Sequence, residues 1–205
     1  MAIPPLNRLL QEIGSCTVCA AQLPHEPRPV LRASASARLL IVGQAPGRRV
    51  HETGIPWNDP SGDLLRAWLG LTREQFYDVS RIAIVPAGMC YPGTVRGADL
   101  PPRPECAPLW HPRLRALMPD IRLILLVGRY AQDYYLRAGR ERVADVVRDY
   151  ARHLLQGYFP LPHPSPRNRL WLKRNAWFEQ EVLPALRAQV ARALDASQAV
   201  SMQAR

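Results

Sequence analysis

Four short apolar runs constrain what this 205-residue chain can fold into. Residues 38–43 (RLLIVG), 81–85 (RIAIV), 121–128 (IRLILLVG) and 158–161 (YFPL) are each bounded by Gly, Pro or charge. Continuous apolar runs of this length, without polar alternation, suit strands buried on both faces, as in a parallel sheet. Between them, Ser61 to Gly70, Cys106 to Met118 and Tyr130 to Leu136 carry apolar residues at helical spacing. A last helix is expected over Pro184 to Leu194, where Leu186, Val190 and Leu194 share one face. Strands alternating with helices predict an α/β fold: a three-layer α/β/α sandwich around a central four-stranded, mainly parallel sheet. The 47% hydrophobic content supports one core, so residues 1–197 are expected to form a single domain and residues 198–205 a frayed C-terminal tail.

In open sheets of this kind, ligands bind beyond the carboxyl ends of the strands. The loops after Val42, Val85, Val127 and Leu161 are therefore the places to look, and they hold unusual residues. After the first run comes Gly43-Gln44-Ala45-Pro46-Gly47, a tight turn that permits close backbone approach and can offer amide donors. It matches neither G-x-G-x-x-G nor a P-loop, so nucleotide-phosphate binding has little support. Ten residues past Gly47, Trp57 stands on a loop beside the turn, placed either to fill the core or to stack on a planar base. Ser61 is a candidate cap for the helix that follows, and Asp59 and Asp63 read as cap or surface residues. After the last run, Pro162-His163-Pro164-Ser165-Pro166-Arg167-Asn168 is a rigid loop whose histidine is held well for polarising a carbonyl.

Cysteine spacing adds a second constraint. Cys16 and Cys19 form a C-x2-C pair, followed far downstream by Cys90 and Cys106 with fifteen residues between them. Four thiolates suit zinc or an iron-sulfur cluster, and either needs all four brought to one point. The N-terminus has no long apolar core, and no run approaches the ~18 apolar residues of a membrane span, so a cytoplasmic location is expected. In a reducing compartment the four cysteines read as ligands rather than as two disulfides, the remaining alternative being buried unpaired thiols. Net charge is +10, from 27 basic and 17 acidic residues, which favours an anionic partner.

The ordered set resembles the uracil-DNA glycosylase superfamily, and is most similar to its iron-sulfur family 4, across nearly the whole chain. That family carries an early cysteine pair, a G-E-A-P-G turn, a G-R-P-F aromatic segment, a strand ending in N-x-x-x-C, a late cysteine and a terminal H-P loop. Here the same order reads Cys16/Cys19, GQAPG, GIPW, PAGMC, Cys106 and HPSPRN, with ungapped spacing from Gly43 through Gly54 to Leu65. The resemblance implies a domain that flips deoxyuridine out of DNA and breaks its N-glycosidic bond, with a 4Fe-4S cluster (zinc is the alternative) on Cys16, Cys19, Cys90 and Cys106. It implies a substrate pocket of Gly43, Gln44, Ala45, Pro46, Gly47, Trp57 and His163, with His163 stabilising the departing base and Trp57 stacking on it. DNA contacts are expected from Arg48, Arg49, Ser165, Arg167 and Asn168, in a protein acting as a monomer.

Two positions depart from the family pattern. Gln44 stands where the family has its water-activating acid, and an amide cannot act as a base at neutral pH. Pro86 stands where the family has the asparagine that reads the uracil edge. The HPSPRN loop is more similar to the single-strand-selective branch, so the chain reads as a divergent member. Glu52, Asp59, Asp63 and His51 are the replacement candidates for handling water. Asp59 ranks first, two residues from Trp57, and joins His163 and Gln44 as the expected catalytic set. The competing readings are a weakly catalytic or non-catalytic binder of abasic or damaged DNA, and a small iron-sulfur redox or zinc protein with no base pocket.

Overall fold

The computed structural model describes residues 3–195, so the domain end at 197 and the tail over 198–205 lie outside the described residues. Helix α1 (Pro5–Gly14) leads into β1 (Leu39–Val42), α2 (Arg48–Thr53), α3 (Pro60–Leu69), α4 (Arg73–Tyr77) and β2 (Ile82–Ile84). A short hairpin of β3 (Thr94–Val95) and β4 (Ala98–Asp99) precedes α5 (Cys106–Ala116), β5 (Leu123–Val127), α6 (Arg129–Leu136), α7 (Val143–Arg148) and α8 (Tyr150–Leu154). The chain continues through β6 (Tyr158–Leu161), α9 (Arg169–Arg174) and α10 (Leu183–Leu194). The four apolar runs supply the four strands of the main sheet, three of them trimmed at their ends.

The sheet order is β2-β1-β5-β6 and every pairing is parallel, with Leu39 opposite both Ile82 and Leu123, and Ile124 opposite Tyr158. Side chains alternate across a strand, so each run divides between two cores. Leu39, Ile41, Ile82, Ile84, Leu125 and Phe159 face α3 and α10, meeting Leu65, Trp68, Leu186 and Val190. Leu40, Val42, Ala83, Val85 and Leu126 face the other way, meeting Leu9 and Ile13 of α1 and Trp110 and Leu114 of α5. Both faces are apolar because both are covered, and three layers result.

The order carries a consequence for ligand binding. From β1 the chain moves to one side for β2, then crosses back for β5, so the crevice opens where the carboxyl ends of these central strands diverge. The hairpin β3–β4 was not legible in sequence, because its four paired residues are exposed and carry no apolar alternation.

Candidate active site

The turn after β1 is fastened to the loop after β2. Ala87 N–H donates to the Gly43 carbonyl and Gly88 N–H to the Gln44 carbonyl, both at 2.9 Å. Against this frame stands Trp57, whose backbone occupies the left-handed region at φ 56°. Two glycines make that position possible. A Cβ on Gly62 would lie 1.8 Å from the Trp57 carbonyl oxygen, and one on Gly43 would lie 2.8 Å from the Trp57 ring. The close approach anticipated at Gly43 is therefore made by the protein's own indole. Arg66, buried under the loop, donates to the Trp57 carbonyl at 3.3 Å, and Tyr77 Oη donates to the Pro56 carbonyl at 2.8 Å.

One pocket at the carboxyl edge of the sheet collects Gly43, Gln44, Ala45, Pro46 and Gly47 together with Trp57, Asp59, Pro86 and His163. The loops after β1, β2 and β6 each contribute to it, and Gly128 after β5 stands behind His163, its Cβ position 3.4 Å from the His163 Cβ. The Trp57 and His163 rings lie 5.7 Å apart at 34°. Burial lowers the His163 pKa below the ordinary histidine value, opposed by the charges of Asp59 and Asp99. The imidazole is thus uncharged at neutral pH, with one N–H to donate.

Of the four residues considered for handling water, Asp59 alone lines the pocket. It is also the cap of α3, its Oδ1 accepting from Gly62 N–H at 2.8 Å, as its reading as a cap or surface residue allowed, and not Ser61, the other candidate. The helix begins one residue earlier than its apolar spacing suggested, at Pro60, which moves the cap back to Asp59. Asp63 is engaged by Arg66 at 2.6 Å. His51 clusters with His25 and Tyr91, its ring 5.4 and 5.7 Å from theirs, and Glu52 lies at the end of α2, where its carbonyl accepts from Arg28 at 3.0 Å.

Arg48 and Arg49 open α2 directly after the Gly47 end of the pocket turn and are exposed. Around His163, Asn168 Nδ2 donates to the His163 carbonyl at 2.8 Å, and Ser165 Oγ accepts from Arg167 N–H at 3.3 Å. These two side chains hold the loop in shape. Arg167 clasps it to the small hairpin by donating to the Gly97 carbonyl at 2.6 Å.

Sequence reasoning missed His111. It is buried on α5, its Nε2 3.0 Å from the Pro86 carbonyl and its Nδ1 2.8 Å from Tyr135 Oη. A carbonyl can only accept, so Nε2 carries the proton and Nδ1 accepts from the tyrosine. His111 thereby fixes the backbone of the pocket wall at Pro86. Its place on an ordinary helix face gave no signal.

Burial pushes the His111 pKa down to about 4, against 6.5 for a free histidine. The unfolded chain therefore binds the extra proton between those values, and stability is lost as pH falls from 6.5 toward 4. The expected loss is about 3 kcal/mol, from ~1.4 kcal/mol per unit. Urea unfolding at pH 7, 5.5 and 4 tests this: the loss should be smaller in His111→Gln by about that amount, and parallel curves for the two proteins would refute it.

The four cysteines also meet. Cys16, Cys19, Cys90 and Cys106 are all unbridged and line one cavity with Ile13, Met89 and Trp110. Cys16 follows α1, Cys106 opens α5, and the packing of α1 on α5 brings them together, with Arg113 donating to Glu12 across the helix pair at 2.8 Å. Burial first, then the neighbouring thiols, pushes Cys90 up to about 11 and Cys106 up to about 12. Met89 N–H donates to Cys106 Sγ at 3.4 Å. Among the described residues, no three His, Cys, Asp or Glu side chains stand as a ready holder for a single metal ion. The cavity shares a wall with the pocket: Pro86 lines one, and Gly88, Met89 and Cys90 line the other.

Fold and site together define a parallel α/β protein whose crevice brings Trp57 and an uncharged histidine to one pocket. Residues 32–187 match the model of the uracil DNA glycosylase superfamily, and the chain belongs to that superfamily. It is 24% identical over 177 residues to the type-4 uracil-DNA glycosylase of Sulfurisphaera tokodaii, a span covering 78% of this chain and 74% of that protein. Among the described residues no helix is long and apolar enough to cross a membrane.

Proposed function

We propose that this protein is a DNA glycosylase that takes uracil, or a related deaminated base, out of the DNA stack and hydrolyses its N-glycosidic bond. The product is an abasic site, the entry point of base excision repair. One observation carries the reading: Trp57, Asp59, His163 and the Gly43–Gly47 turn line a single pocket. The flipped base stacks on Trp57. As the bond from the sugar C1′ to the base breaks, its electron pair leaves with the base, and charge gathers on a carbonyl oxygen. His163 N–H faces that charge as a preorganised donor. Water adds to C1′, and its proton passes to the Asp59 carboxylate, whose second oxygen is spare beside the one that caps α3. Gln44, unable to take a proton, contributes hydrogen bonds to the base. The exposed Arg48 and Arg49 and the Ser165–Asn168 loop meet the DNA backbone.

Cys16, Cys19, Cys90 and Cys106 hold a 4Fe-4S cluster in this reading. The donor set supports it: four unbridged thiols on one cavity, with an amide donating to a sulfur. Four thiolates suit zinc as well, and metal content is the measurement that separates the two. When bound, the cluster supplies a cross-link between α1, α5 and the loop after β2. Residues 1–197 act as one domain, a cytoplasmic monomer.

The direct test is incubation with uracil-containing single-stranded and duplex oligonucleotides, followed by alkali. Strand scission at the uracil is expected; none on either form, with folded and cluster-loaded protein, sinks the reading. Gln44 and Pro86 on the pocket wall favour a second one, a binder of abasic DNA with weak chemistry. Tight, salt-sensitive binding to an abasic duplex without base release would select it.

Asp59 has separable duties. Asparagine caps helices as well as aspartate does, so Asp59→Asn is expected to leave the melting temperature nearly unchanged and to slow excision roughly 10²-fold. Alanine should additionally cost about 1 kcal/mol of stability through the lost cap. Equal single-turnover rates for Asn and Asp would remove Asp59 from the chemistry.

A further inference from the structure

Beyond the base pocket, a second cleft of about 490 Å³ opens beside α6, α7 and α9, lined by Arg129, Arg142, Arg148, Trp171, Asn175 and Trp177. Its volume is that of a small-ligand site. The tryptophans stand 5.9 Å apart at 76° and are held from behind: Trp177 Nε1 donates to Asn175 Oδ1 at 3.0 Å, and Asn175 Nδ2 to the Trp171 carbonyl at 2.8 Å. The Arg148 guanidinium lies over the Trp177 ring at 4.5 Å, and among the described residues it is not in an ion pair. Arg142, at the N-cap of α7 and well exposed, forks onto Asp145, which also lines the cleft, at 2.7 and 3.1 Å. Arg129 is committed to the Gly139 and Glu141 carbonyls and holds the rim.

We propose that this cleft is a second DNA-contact site, which takes an unpaired nucleotide of the bound strand: the base against the tryptophans and the phosphate on Arg148 and Arg142. The inference rests on the reading that DNA is the substrate. Its place supports it, since Arg129 follows Gly128, which packs on His163, and α9 follows directly from the His163 loop. The chemistry selects an unpaired nucleotide. Aromatic platforms with arginines bind bases whose faces are open, whereas a duplex hides those faces in its stack. Both indoles also pack inward on Phe178 and the core, so the platform they offer the cleft is rigid.

The test uses the full-length protein and a 5′-fluorescein-labelled oligothymidylate without uracil, followed by anisotropy across a salt series. Arg142→Ala/Arg148→Ala is expected to weaken single-strand binding about tenfold. The slope of log K against log salt should fall by roughly 1.4, two phosphate contacts at ~0.7 each. Duplex binding should change less than twofold, and the strand should quench tryptophan emission less in Trp171→Phe than in the wild type. Arg142→Glu, an exposed charge reversal, gives the same reading should the double variant fail to fold. Single-strand binding equal to wild type, or equal losses on single strand and duplex, overturns the proposal. Absence of uracil release by the wild type, with the cleft variants still losing oligothymidylate, would refute the glycosylase reading and leave the cleft standing.

Discussion

Replacing His163 with alanine is expected to slow base release about 10²- to 10³-fold in single-turnover assays, the usual cost of losing one preorganised donor to a developing oxyanion. The expectation follows from the site. His163 stands between two prolines on a loop held by Asn168 and Arg167, so its ring is placed before the substrate arrives. Its lowered pKa keeps it uncharged at neutral pH, and a neutral donor avoids the desolvation cost of a buried cation. Because the loop is fastened through backbone groups, His163→Ala should fold normally and bind an abasic strand within a fewfold of wild type. The loss should therefore appear in the chemical step and not in affinity. A His163→Ala rate within threefold of wild type would show that the departing base is stabilised elsewhere, with the turn amides the next candidates.

Cys90→Ala is expected to give colourless, iron-poor protein that unfolds several kcal/mol more easily, the scale of metal-linked cross-links in small folds. Truncating an ordinary buried residue costs about 1 kcal/mol, so the magnitude separates a ligand from a plain thiol. The effect should also reach the pocket. Cys90 ends the segment that begins at Pro86, and Cys106 opens the helix whose His111 holds the Pro86 carbonyl. Losing the cross-link loosens both supports of one wall, so excision should fall with the iron content. Iron analysis, visible absorbance and urea unfolding on wild type and variant decide it. If the wild type carries neither iron nor zinc and Cys90→Ala costs only about 1 kcal/mol, the four cysteines are simple buried thiols.

The strands and the loops that carry the site were legible in sequence because both are local properties. An uninterrupted apolar run needs two covered faces, and the Gly/Pro turns must follow where such runs end. Trp57 was legible as a loop aromatic beside such a turn. Its backbone conformation was not, because the left-handed position of a tryptophan depends on Gly62 and Arg66 from the next helix. Asp59 ranked first for proximity to Trp57, and it does line the pocket. Its capping of α3 was one of two readings the sequence left open, and the helix start decided it. His111 and the Arg148–Trp177 cleft gave no signal, since each joins elements far apart in the chain.

The opening pattern of apolar runs thus determined by itself that the chain builds a covered parallel sheet, with ligand-bearing loops at the carboxyl ends of its strands. The cysteine spacing determined that four sulfur donors were present. Only the tertiary structure decided which loops share a pocket and whether the cysteines share a cavity. The order β2-β1-β5-β6 places the Gly43 turn beside Pro86, with His163 returning to it from β6, and the packing of α1 on α5 carries Cys16 to Cys106. The physical reason is that spacing along a chain encodes backbone geometry over a few residues, whereas convergence is set by which faces bury against one another.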